Sequence, residues 1–85
     1  MKEIYFIDEI MTDFFVPGLI SAIKNSGYEM IYGGMNGELD IIVYNSKKKE
    51  IGNIQIQRRD FHCIIYLQTR SKKIKNLLTD TLNKL

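Results

Sequence analysis

Lysine and arginine are the side chains in this sequence whose type and clustering promise the most chemistry. Lys47-Lys48-Lys49 is one uninterrupted cationic run, Arg58-Arg59 is a second, and Arg70, Lys72, Lys73 and Lys75 form a third. Positive groups gathered on one surface attract polyanions, and the attraction weakens as salt screens it. Other reactive types are sparse, with one His and one Cys. His62 and Cys63 are neighbours, so on a strand they point to opposite faces and cannot act on each other as base and nucleophile. They are too few for a conventional zinc site, and one Cys leaves no intramolecular disulfide. Gly33, Gly34 and Gly37 lack the spacing and the following helix of a phosphate-binding loop, and fit a turn instead. The expectation is a domain with no catalytic residues and no cofactor.

A second arrangement joins carboxylates to a strand pair. Gly37-Glu38-Leu39-Asp40 leads into an apolar stretch, and Gln55-Ile56-Gln57 follows. This order resembles the core of the PD-(D/E)XK nuclease superfamily over residues 19–59. The resemblance implies Asp40 as the first ligand of a Mg²⁺ that activates water and steadies charge on the scissile phosphate. It puts Gln55 in place of the second acid and Gln57 in place of the lysine. A neutral amide is a poor ligand for a hard cation and cannot replace an ammonium, so what is implied is a degenerate nuclease-like relative.

The elements that must position these groups are readable from periodicity. Residues 3–7 are a β-rich strand. Asp8 is placed to cap a helix, and Ile10, Met11, Phe14, Phe15, Leu19, Ile20, Ala22 and Ile23 follow at helical spacing. Pro17-Gly18 interrupts that stripe, predicting either a kinked helix over 9–26 or two short ones. Gly27 suits the helix end, where a left-handed residue is needed. Four strands follow, at 28–33, 38–45, 51–57 and 62–69, separated by turns too short for helical crossovers. The last helix, 72–84, takes Ser71 as its N-cap and presents Ile74, Leu77, Leu78, Leu82 and Leu85 on one stripe. The predicted fold class is α+β: a single domain over 1–85, ordered β-α-β-β-β-β-α, whose two helices cover one face of a mostly antiparallel five-stranded sheet. The first strand joins at an edge or in a gap. This element order also looks like that of a TATA-binding-protein half, a family that reads nucleic acid with its open sheet face.

Strand parity then divides the sheet. Leu39, Ile41, Val43, Ile54, Ile56, Cys63, Ile65 and Leu67 point toward the helices. Glu38, Asp40, Ile42, Tyr44, Gln55, Gln57, His62, Ile64, Tyr66 and Gln68 point away. The exposed face offers a protein interface at Tyr44, Gln55, Gln57, Ile64 and Tyr66, for an inhibitor or adaptor partner or a second copy. In a meander, loops alternate between the two ends. The predicted nucleic-acid-binding set is therefore Lys47, Lys48, Lys49, Arg70, Lys72 and Lys73 at one end, with Arg58-Arg59 at the other.

Bulk properties fit a small binding domain. Net charge is +2, but residues 1–46 hold two bases against seven acids, and residues 47–85 hold ten bases against three acids. No apolar run reaches the ~20 residues that span a bilayer, and Asp8, Glu9 and Asp13 break the only stretch resembling a leader. The unpaired cysteine points to a reducing, cytoplasmic setting. The partner expected is a macromolecule, nucleic acid first and protein second, with no membrane involved.

Overall fold

The computed structural model describes residues 2–85. Five strands form one sheet: β1 (Lys2–Asp8), β2 (Glu29–Gly33), β3 (Glu38–Tyr44), β4 (Glu50–Arg58) and β5 (His62–Thr69). Their spatial order is β1-β5-β4-β3-β2 and every neighbouring pair is antiparallel. Helix α1 (Thr12–Asn25) follows a single 3-10 turn at Glu9–Met11, and α2 (Lys72–Asn83) closes the chain. β1 therefore takes an edge, beside β5. The resemblance to the nuclease superfamily stops at the meander. β5 returns antiparallel straight after β4, where that family inserts a helix and a parallel strand.

The predicted parity holds. Ile41, Val43, Ile54, Ile56, Cys63, Ile65 and Leu67 are buried in one core with Phe15, Leu19 and Ile23 of α1 and Ile74 and Leu78 of α2, and Leu39 packs on its margin. Both helices thus cover the same face of the sheet. They meet each other where α1 has no side chain: a Cβ on Gly18 would lie 3.5 Å from Thr81 Cγ2. Thr81 is buried in place of the predicted Leu85, which lies past the end of α2 and is 42% exposed. The Thr81 hydroxyl donates to the Leu77 carbonyl at 2.8 Å, so its burial leaves no polar atom unpaired.

Helix ends follow the sequence in two cases and depart from it in one. Ser71 Oγ accepts from the Ile74 N–H at 3.3 Å. Gly27, at φ +86°, ends α1 with the paired bonds Gly27 N–H to Lys24 O and Tyr28 N–H to Ile23 O, the arrangement that only a residue free of Cβ strain closes cheaply. Asp8, however, makes no side-chain cap. Strand pairing continues through Asp8 opposite His62 and turns its carboxylate to the face away from the helices. The inward stripe of α1 is narrower than the predicted one. Ile10 and Phe14 come out 72% and 70% exposed, while Thr12, Phe15, Leu19 and Ile23 face inward. α1 runs unbroken through Pro17. Pro17 and Asp13 are both exposed, so water can serve the Asp13 carbonyl that the proline leaves without a donor.

Candidate nucleic-acid interface

Register decides which connections share an end. Val43 lies opposite Gly52, and Gly52 opposite Thr69, so the β3–β4 loop and the β5–α2 connection are at one pole. Arg58 lies opposite Cys63, which puts the β4–β5 corner at the other. A bulge where Tyr44 meets Glu50 breaks alternation at the start of β4, and Ile51 packs on the core there.

The lysine loop is built on Asn45. Its side-chain oxygen accepts from the N–H groups of Lys47 (2.9 Å) and Lys49 (3.0 Å), while its own backbone bonds Lys48 and Lys49. This closes the bend with Lys48 at φ +62°, a left-handed position that costs a lysine about 1–2 kcal/mol. The three lysines are all exposed. Across from them, the Thr69 hydroxyl donates to the Ile51 carbonyl at 2.6 Å and accepts from the Ser71 N–H at 2.9 Å. Those bonds hold Arg70 and the start of α2 against β4. The buried Gly52 makes room for this join, since a Cβ there would lie 3.3 Å from Ile74 Cγ2.

The structure brings Lys49 and Arg70 to the lining of one groove of about 570 Å³, together with Glu50, Gly52, Asn53 and Gln68. Arg70 and Lys72 line a neighbouring hollow of about 410 Å³ with Glu3, Ser71 and Lys75. Lys73 lies elsewhere, its ammonium 5.6 Å from the centre of the Tyr28 ring. Among the described residues, none of Lys47, Lys48, Lys49, Arg70, Lys72 and Lys73 has an acidic partner within 4.0 Å. Lys75 does: its Nζ is 2.8 Å from Glu3. That ammonium, and then the Tyr5 hydroxyl donating to the same carboxylate, hold Glu3 below the usual carboxylate range. The same bond to Glu3 pushes Tyr5 up to about 12. At the far pole Arg58 is also engaged, 3.5 Å from Asp13 and 3.9 Å from Glu9, and Arg59 donates to Gln57 Oε1 at 2.6 Å.

The open sheet face carries the other predicted set in cross-strand rows. Gln55 lies between Asp40 and Tyr66, and Gln57 between Glu38 and Ile64, whereas Tyr44 stands apart beside Glu29 and Glu50. The rows are longer than strand parity in the meander alone could show. Ile4 continues the Tyr66 row, Phe6 continues the Ile64 row, and Ile31 lies opposite Ile42. The signal for Ile4 and Phe6 was masked, because residues 4–7 are apolar at every position and carry no period-2 contrast. Among the described residues no three His, Cys, Asp or Glu side chains converge as a metal site, and no helix is long and apolar enough to cross a membrane. No protein-family model matches the chain, and no curated protein or solved structure compared with it does either.

Proposed function

We propose that this chain is a small, non-catalytic, cytosolic nucleic-acid-binding domain that grips the phosphate backbone at its lysine-loop pole. The observation carrying this reading is the groove shared by Lys49 and Arg70, two cations from separate connections that, among the described residues, have no acidic partner within 4.0 Å, although Glu50 lines the same groove. Unneutralised cations on a fixed bend release counterions when phosphates replace solvent, which makes binding strongly salt-dependent. The open face suits this role less well, because Glu38 and Asp40 lie on it. It favours a second reading, a protein-binding face, through the exposure of Ile4, Phe6 and Ile31 beside Ile64 and Tyr66.

Fluorescence anisotropy with labelled duplex DNA, single-stranded DNA and RNA tests the first reading. If all six cations engage, the slope of log K against log salt is about −5 for a duplex and about −4 for a single strand. The Lys47→Ala/Lys48→Ala/Lys49→Ala variant lowers that slope by about 2–3. Tyr66→Asp leaves it unaltered. Absence of binding to all three probes at low salt, or binding that salt does not weaken, refutes the reading.

A further inference from the structure

We propose that β1 is a dimerisation edge, pairing antiparallel with β1 of a second copy about a two-fold axis at Tyr5. β1 is the outermost strand beside β5, and no described segment pairs with its other side. An edge of this kind presents a row of free N–H and C=O groups. Natural sheets protect such edges with charge. β1 carries Lys2, Glu3 and Asp8 toward its ends and leaves Ile4-Tyr5-Phe6-Ile7 uncharged in the middle.

The strand is complementary to itself. Laid antiparallel about Tyr5, it sets Lys2 opposite Asp8 of the second copy, Ile4 opposite Phe6, and Tyr5 opposite Tyr5. Residues facing each other in an antiparallel pair point to the same side. This register therefore keeps Lys2, Ile4, Phe6 and Asp8 of both copies on the open face, with apolar pairs flanked by ion pairs. Sliding by two residues keeps the faces matched but sets Lys2 against Phe6, or Asp8 against Ile4. Sliding by one mixes the faces. Only one register satisfies both charge and side.

Three features of the chain agree with that pairing. Lys2 and Asp8 have no ion-pair partner among the described residues; Lys2 instead lies 5.4 Å from the centre of the Tyr66 ring. Ile4 and Phe6 are 52% and 66% exposed. Tyr5 and Ile7 are only half-buried, and an open hollow wraps the β1 edge from Met11, Leu82 and Leu85 on the helix side to Phe6, Asp8 and His62 on the open face. Glu3, which would face Ile7 of the second copy, is already neutralised by Lys75. The opposite edge has no such pattern: β2 laid against itself sets Glu29 opposite Gly33. The outcome is one ten-stranded sheet with all four helices on one side, a closed pairing that leaves no second β1 edge to propagate. The two lysine loops lie at opposite ends of that sheet, each open to its own ligand.

Sedimentation velocity on the full chain is the test. The expected result is a concentration-dependent shift from 9.9 kDa to twice that mass. Lys2→Asp and Asp8→Lys each set like charges opposite one another twice per dimer, and each weakens association at least about tenfold. The double variant exchanges the charges and restores the dimer, which also shows that both exposed positions tolerate substitution. A parent chain that stays at 9.9 kDa overturns the proposal. So does a dimer indifferent to both single exchanges but broken by Tyr66→Asp, which puts the contact on the open face. Open-ended growth overturns it as well, since that marks β1 pairing with β2.

Discussion

Gly33 and Gly34 are adjacent, and the structure assigns them opposite tolerances. A Cβ built on Gly33 meets nothing within 4 Å. One built on Gly34 would lie 1.8 Å from the carbonyl oxygen of Glu38, 2.8 Å from its carbon and 3.0 Å from Leu39 Cα. All three are backbone atoms, so no side-chain rotation relieves the overlap. Comfortable contact is near 3.5 Å, so Gly34→Ala forces a retreat on the order of 1.5 Å. Glu38 opens β3, pairs with Gln57 and donates its N–H to Met35 O at 3.1 Å across the turn. Moving it disrupts two or three backbone bonds, each worth about 1 kcal/mol, for a total near 2–3 kcal/mol. A chain of this length has about 4–13 kcal/mol in all. At about 4–8 °C per kcal/mol, Gly34→Ala lowers the melting temperature by roughly 8–24 °C. Gly33→Ala changes stability by under about 1 kcal/mol and leans toward stabilising, because alanine loses less backbone entropy in a strand. Thermal unfolding followed by circular dichroism compares them. If Gly34→Ala melts within about 3 °C of the parent, the close approach at this turn is wrong.

Leu78 of α2 is fully buried against the sheet, and Leu78→Ala costs about 3–5 kcal/mol, read as a fall in the urea midpoint at unchanged slope. Stability also depends on pH through the Glu3–Lys75–Tyr5 group. Glu3 is held below its ordinary 4.5, so its contribution is complete above that value and is lost as pH falls below it; Lys75→Met flattens this acid limb of urea midpoint against pH. Tyr5 is raised from 10.0 to about 12, so its contribution is complete below pH 10.0 and is lost as pH rises toward 12, with one tyrosine titrating late in ultraviolet absorbance.

What could be read from the chain beforehand was whatever is encoded within a few residues. Ile54 and Ile56 alternate with amides, so the face of β4 was legible, and register carried the same division to β3 and β5. Ser71 and Gly27 act on their own helix ends, and both do so in the structure. The failures share a different cause. Asp8 has the chemistry of a cap, but pairing with His62 across β5 decides where its carboxylate points. Ile10 and Phe14 are apolar, yet only the side of the helix that carries Phe15, Leu19 and Ile23 meets the sheet, and that choice is made by packing between elements. The edge position of β1 depends on contacts more than fifty residues away, and no local pattern reports them. At the candidate site the sequence located the cations and the shared pole. It could not show that Asn45 fixes the loop, nor that Lys73 leans over Tyr28.

The charge split along the chain becomes a split in space only because some cations are consumed. Arg58 belongs to the basic half of the sequence, yet the meander carries it to the pole of Glu9 and Asp13, acids from the other half, with which it pairs. Lys75 is spent the same way on Glu3. Among the described residues, Lys47, Lys48, Lys49, Arg70, Lys72 and Lys73 have no such partner, and those at the start of α2 oppose the positive end of the helix dipole. That placement is unfavourable, and the left-handed Lys48 that closes the bend adds a cost of its own. Both costs fall on the residues proposed to bind phosphate, where a polyanion would repay them. If these lysines served only solubility, exposed positions elsewhere on the rim would hold them without either cost. The local conflict is therefore an argument for a ligand, independent of the groove itself.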